Sequence, residues 1–178
     1  MSTLLVLSGP PGAGKSTVAR RVADRLPLSV HLVADTFWHH LRSGYLLPWL
    51  PKARHQNQVT MEAVAAAAQE FAVGGYDVVV DGVVGPWLLA PFLKRAQADV
   101  DLRYIILRPD ETTAVARAVA RGTDALIEEG PLRHMHAEFS GLGDYERHVL
   151  DTTELSVAET VTEVLRLLAA DDYRLQPR

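Results

Sequence analysis

Short apolar runs alternate with stretches of helical spacing along this chain. Leu4 to Leu7 is apolar and is closed by Ser8, a length that suits a buried strand. From Gly14 to Leu26 the apolar residues Val18, Val22 and Leu26 recur every four positions, predicting a helix that Pro27 stops. Val30 to Ala34 predicts a second strand ending at Asp35. Phe37 to Arg42 predicts a short helix that Asp35 or Thr36 is placed to cap. Ser43 to Pro51 (SGYLLPWLP) reads as a loop carrying aromatic rings, and Gln56 to Val73 as an Ala-rich helix ended by Gly74-Gly75. Asp77 to Val84 is apolar enough for a strand buried on both faces. Beyond it come a helix over Pro86 to Ala98, a strand over Leu102 to Leu107 and a helix over Glu111 to Arg121. Gly122 to Arg133 loses periodicity, and His134 to Leu142 predicts another helix. Val149 to Asp151 is a last short strand, Val157 to Ala169 a final helix, and Asp171 to Arg178 a frayed tail. Such alternation predicts an α/β fold: a parallel sheet of about five strands with helices on both faces.

With 178 residues and no repeat or linker, residues 1–178 read as one domain. No cysteine is present, which excludes disulfides, thiolate metal sites and cysteine nucleophiles and fits a reducing cytoplasm. The first residues are too short and too uncharged for a signal peptide, and no apolar run reaches the roughly 20 residues of a membrane span. Net charge is −4 with scattered Lys and Arg, which disfavours a broad nucleic-acid surface but not a small basic pocket. These features point to a cytoplasmic enzyme with small-molecule ligands and carry no signal for an oligomeric state.

The most specific chemistry lies between the first strand and the first helix. Gly9, Pro10, Pro11, Gly12, Ala13, Gly14, Lys15, Ser16 and Thr17 spell GPPGAGKST, a complete Walker A pattern in the strand–turn–helix setting it requires. A loop that wraps phosphates aims consecutive backbone N–H groups inward, in conformations a Cβ resists. The positive end of the following helix points at the same anions. Lys15 is expected to reach the β- and γ-phosphates of ATP, and the Ser16 hydroxyl to hold Mg²⁺. Asp81 stands where a Walker B acid would also hold Mg²⁺, although an Asp capping a strand-to-helix loop would look the same.

The motifs at Gly9 to Thr17, Asp35, Asp81, Arg117, Arg121 and Asp151-Thr152-Thr153 together resemble the small-molecule kinases of the P-loop superfamily. That group includes shikimate, gluconate and adenylylsulfate kinases and chloramphenicol phosphotransferase. Val33-Ala34-Asp35-Thr36-Phe37 and Asp151-Thr152-Thr153 are most similar to the last of these, and Gly44 to Trp49 to gluconate-kinase-like proteins. The resemblance implies a three-layer P-loop NTPase fold with a short lid at about 122–133. It implies that Asp35 orients the acceptor hydroxyl, that Arg117 stacks on adenine and that Arg121 neutralises the transferring phosphoryl group. It also implies that Asp151, Thr152 and Thr153 border the base. Read from the residues alone, Asp35 is equally a helix cap, Arg117 and Arg121 a solvated helix face, and Asp151 to Thr153 a plain turn.

For the acceptor, Trp38, His39, Arg42, Tyr45, Trp49 and Trp87 gather rings and basic groups around Asp35. Rings that cover the sheet edge and fill core would give the same pattern. His134 and His136 lack a third ligand and are assigned no metal. The expectation is an ATP- and Mg²⁺-dependent phosphotransferase acting on a hydroxyl of a small acceptor: an antibiotic, a nucleoside-like compound or a sugar. A polynucleotide or tRNA kinase and a non-catalytic ATP-binding regulatory module are the alternatives.

Overall fold

The computed structural model describes residues 1–121, 128–170 and 173–175, with the side chain of Arg121 outside that set. Five strands form one all-parallel sheet in the order β2-β3-β1-β4-β5: β1 (Ser2–Ser8), β2 (Ser29–Val33), β3 (Asp77–Asp81), β4 (Val100–Leu107) and β5 (Val149–Leu150). Strand alternation divides the core in two. Leu4, Val6, Val78, Val80, Tyr104 and Ile106 face α3 (Arg54–Val73), whose Met61, Val64, Ala65 and Ala68 are fully buried against them. Leu5, Leu7, Val79, Ile105 and Leu107 face α1 (Lys15–Ala23) and α7 (Val157–Leu168). Helices on both faces explain why these strands read as continuous apolar runs rather than alternating ones. Chain order reverses across β1, which is flanked by β3 and β4, and ligands of open α/β sheets settle at such a switch, beyond the carboxyl ends of the strands.

Every expected strand is present and the helix α5 (Glu111–Arg121) keeps its expected bounds; other boundaries differ for local reasons. Helix α1 ends at Ala23, short of Leu26, the residue whose helical conformation Pro27 disfavours. The chain tightens there through Arg25 N to Val22 O (3.0 Å) and Leu26 N to Ala23 O (3.1 Å). α2 is one turn, Asp35–Trp38, with Asp35 inside it and Ala34 before it making no side-chain cap, so neither Asp35 nor Thr36 caps the turn. Thr36 Oγ1 instead donates back to Val33 O at 2.7 Å. β3 stops at Asp81 rather than Val84, since Val84 N turns away to the Ser8 hydroxyl at 3.0 Å. The helix expected over Pro86 to Ala98 is divided: Pro86–Leu88 is a 3-10 turn and α4 starts anew at Ala90–Arg95, with Pro91 in its first turn, where a missing N–H costs nothing.

The helix expected from His134 begins earlier, as α6 (Glu129–Ala137). Of the segment read as a lid, Glu129 to Arg133 is therefore helical, and 122–127 lie outside the described residues. The tail is not frayed throughout. Leu175 is buried, its N–H bonds Leu102 O at 2.9 Å, and Arg174 bridges Arg103 antiparallel to β4. Residues 171–172 and 176–178 lie outside the described set.

Candidate active site

Three glycines of the Walker A loop hold positive φ: Gly9 at 145°, Gly12 at 79° and Gly14 at 84°. Two are also sites of close approach. A Cβ on Gly9 would stand 2.1 Å from Leu107 O, and one on Gly12 would stand 1.9 Å from Ala114 O. The loop is thus pressed between the end of β4 and α5, and only glycine fits there. Ala13 N bonds Pro10 O at 3.2 Å, closing the turn. Lys15 is buried and its Nζ donates to Pro10 O at 2.9 Å, so its ammonium lies across the loop from which α1 springs. Ser16 and Thr17 are exposed in the first turn of α1.

Asp81 ends β3 level with Leu7 of β1 and Val33 of β2. Val79 packs on the α1 side, so Asp81, two residues on, faces that side too. Asp81 is buried, and His31 Nε2 lies 3.0 Å from its Oδ1. A carboxylate and a hydroxyl are hard oxygen donors, and Mg²⁺ binds through few such protein ligands while keeping waters. Asp81 and Ser16 therefore fit such an ion, by the chemistry of the donor set. Among the described residues there is no cluster of three or more His, Asp or Glu arranged for a metal.

Asp35 opens α2 immediately after β2, and Ala34 N bonds Asp81 O at 2.9 Å, which ties the two acid-bearing turns together. A Cβ on Gly82 would lie 2.8 Å from Ala34 Cβ and 3.9 Å from Asp35 Oδ1, so Gly82 is what allows the turns to meet. Nothing in the local pattern around Gly82 announces this; the contact exists only once β2 and β3 pair.

On the far side of β1, Arg117 Nη2 lies 3.5 Å from Thr153 O. Thr153 N and Oγ1 donate to Asp151 Oδ1 at 2.9 and 2.6 Å, and these bonds hold the Asp151 carboxyl below its usual range. Asp110 N donates to Thr153 Oγ1 at 2.9 Å, while the bond from Thr113 N lowers the Asp110 pKa in turn. The loop after β4 and the loop after β5 are thereby knitted around a cavity of about 270 Å³ bordered by Arg108, Asp110, His136, Ser140, Asp151 and Thr153. Thr152 is buried, and its hydroxyl finds no hydrogen-bond partner among the described residues. Arg121 ends α5, with its side chain outside the described residues. Arg133 is bound to Glu111 and, at 3.1 Å, to Glu129, which fastens α6 to α5. His134 and His136 do not act together: His136 is buried on Pro109 O at 2.9 Å and the His134 side chain is 76% exposed.

The proposed acceptor residues are only partly gathered. Trp38 is a core residue, 8% exposed, with its indole N–H on Asn57 Oδ1 at 3.0 Å, which removes it from the rings open to a ligand. His39, Arg42, Tyr45 and Trp49 are exposed around the loop that precedes α3. Gln56 fixes that loop by a two-way clamp on Leu46 (2.8 and 2.7 Å), and Asn57 Nδ2 donates to Pro48 O at 2.7 Å. Trp87 is exposed, covers Gly85 and tilts against Phe139 at 5.6 Å between ring centroids. Among the described residues no recorded ring contact or hydrogen bond joins Trp87 to that loop. Gln56, Asn57 and His31 escaped sequence reading, because each matters through a partner distant in the pattern.

Comparison with known proteins places these features in a family. A family model described as an AAA domain matches residues 4–142. A protein named cytidylate kinase from Desulfurococcus amylolyticus is 26% identical over 153 residues, covering 84% of this chain and 81% of its own. Among solved structures, a tunicamycin resistance protein of Deinococcus radiodurans superposes with a TM-score of 0.69 at 17% identity, over 94% of this chain and 96% of its own. The APS kinase of Mycobacterium tuberculosis gives 0.69 at 22% identity, over 95% and 98%. The shared shape accounts for the five-stranded parallel sheet and for the phosphate loop between β1 and α1. The chain belongs to the AAA-domain family and has the fold of the P-loop kinases.

Proposed function

We propose that this protein is a small-molecule kinase that moves the γ-phosphate of ATP onto a hydroxyl group. The observation that carries the reading is the placement of Asp35. It stands at the carboxyl edge of the sheet, on a turn bonded to the Asp81 turn, whose strand β3 pairs with β1, the strand that feeds the phosphate loop. In that role the acceptor oxygen bonds to the γ-phosphorus while the bond from that phosphorus to the β–γ bridging oxygen breaks. ADP leaves, and the hydroxyl proton passes to Asp35 or to water. Phosphoryl transfer asks mainly for alignment and charge neutralisation. Lys15 and the loop amides hold the phosphates, Ser16 and Asp81 hold Mg²⁺, and Arg117 and Arg121 bring positive charge from α5. Bound Mg²⁺ supplies charge neutralisation at the phosphate oxygens. Arg117 on the Asp151–Thr153 loop borders the base, and the exposed Tyr45, Trp49 and Trp87 rings with His39 and Arg42 border the acceptor.

A second reading takes the acceptor to be the phosphate of a nucleoside monophosphate, and it is favoured by the cytidylate kinase name of the similar archaeal proteins. An acceptor phosphate needs cations around it. The turn that faces the acceptor here, Asp35–Trp38, carries a carboxylate and no basic residue. The carboxylate there opposes a phosphate dianion and suits a neutral hydroxyl, while His39 and Arg42, beyond the turn, are the cations a phosphate acceptor would call on. The test is Asp35→Asn. Transfer is expected to fall by about 100-fold or more while ATP affinity stays at the wild-type value. Loss of ATP binding in this variant would show that Asp35 is structural and would remove the reading.

A further inference from the structure

We infer that His31 is a positioning residue for the divalent cation of this site, acting through Asp81; the inference rests on the metal role proposed above for Asp81. Parallel pairing puts His31 opposite Val79 and Val33 opposite Asp81, so positions 31, 33, 79 and 81 share the face turned toward α1. From there the imidazole reaches diagonally across the ladder to the acid. A carboxylate only accepts hydrogen bonds, so the hydrogen lies on His31 Nε2 and is donated to Asp81 Oδ1, at 3.0 Å.

The two side chains differ in exposure in a way that matters. The imidazole is 17% exposed and the carboxylate 2%. A carboxylate so far from solvent needs partners for its oxygens. Among the described residues the one recorded hydrogen bond to it comes from His31, and it occupies one oxygen only. Oδ2 is left to serve the cation or a water that the cation holds. The imidazole meanwhile bridges β2 to β3 and keeps the carboxylate from turning both oxygens away from the phosphate loop. Partners that hold a ligating carboxylate in this way are worth roughly ten- to a hundredfold in metal affinity.

The experiment follows Mn²⁺, in place of Mg²⁺, binding to the full chain with a non-hydrolysable ATP analogue, read from the spectroscopic signal of free Mn²⁺. Calorimetric titration with ADP in the presence of chelator runs alongside. His31→Leu is expected to weaken Mn²⁺ binding about tenfold while metal-free ADP binding is unchanged. His31→Gln, whose amide nitrogen stands near the position of Nε2 and still donates, is expected to recover most of that loss. His31→Asn is too short to reach Asp81 and should behave as His31→Leu; it keeps the test available if the Leu variant fails to fold. Wild-type Mn²⁺ affinity in His31→Leu or His31→Asn would overturn the inference, as would an equal loss in His31→Gln. A parallel loss of metal-free ADP binding would also overturn it, by showing a general structural role. No arm uses an acceptor, so failure to find a phosphorylated product would remove the transfer reading and leave this one standing.

Discussion

Gly12 and Gly14 hold nearly the same left-handed backbone, with φ of 79° and 84°, yet their surroundings differ completely. A methyl group on Gly14 would meet nothing within 4 Å. On Gly12 it would stand 1.9 Å from Ala114 O and 3.1 Å from Ala118 N, about 1.5 Å short of ordinary contact with the first. Both obstacles are backbone of α5, which cannot rotate aside as a side chain would. Alanine at either position carries the left-handed cost of about 1–2 kcal/mol. Gly12→Ala adds overpacking, at the upper end of the usual range for a stiff neighbour, about 3 kcal/mol. At about 2–4 °C per kcal/mol for a chain of this size, Gly12→Ala should lose roughly 6–12 °C more in Tm than Gly14→Ala. Thermal unfolding of the ligand-free proteins, followed by circular dichroism, measures the difference. Equal shifts would refute the claim that the phosphate loop is wedged against α5.

Other outcomes follow from single contacts. Lys15→Ala should lower ATP turnover by about 100-fold or more if, as proposed, the ammonium beside the loop serves the transferring phosphate; unchanged turnover would end the kinase reading. Tyr104→Phe removes a buried donor that bonds Val84 O at 2.7 Å and should cost about 1–2 kcal/mol in urea unfolding. Glu146 grips Arg108 with both oxygens, and these hydrogen bonds pull its carboxyl from 4.5 down to about 2. A depressed folded-state pKa gives stability that is complete above pH 4.5 and lost as pH falls toward 2. The pair is well solvated, so the loss should be about 1 kcal/mol at most, and it should be missing in Glu146→Gln.

What the sequence disclosed depended on whether the signal was local. Strands such as Leu102–Leu107 and helices such as Glu111–Arg121 carry their own periodicity, and GPPGAGKST carries its own geometry, so each was legible without a partner. Boundaries moved where a neighbour intervened: Ser8 takes Val84 N and ends β3 early, and Pro91 restarts the helix after Leu88. Trp38 reads as a ligand-binding ring beside Asp35, yet a one-turn helix directs it into the core against α3. His31, Gln56, Asn57 and Gly82 have no motif of their own. Each acquires meaning from a residue across the sheet or on another element, a relation that linear spacing does not encode.

The central claim concerns the bond made to the acceptor, and phosphorus NMR reads that bond directly. Wild-type protein with ATP and Mg²⁺ is incubated with a panel of hydroxyl-bearing sugars, nucleosides and antibiotics and, separately, with CMP. The account predicts ADP together with a phosphomonoester signal on one of the hydroxyl compounds, and no product from CMP. CDP formed from CMP, with its phosphoanhydride signals and no monoester from any hydroxyl acceptor, would contradict it.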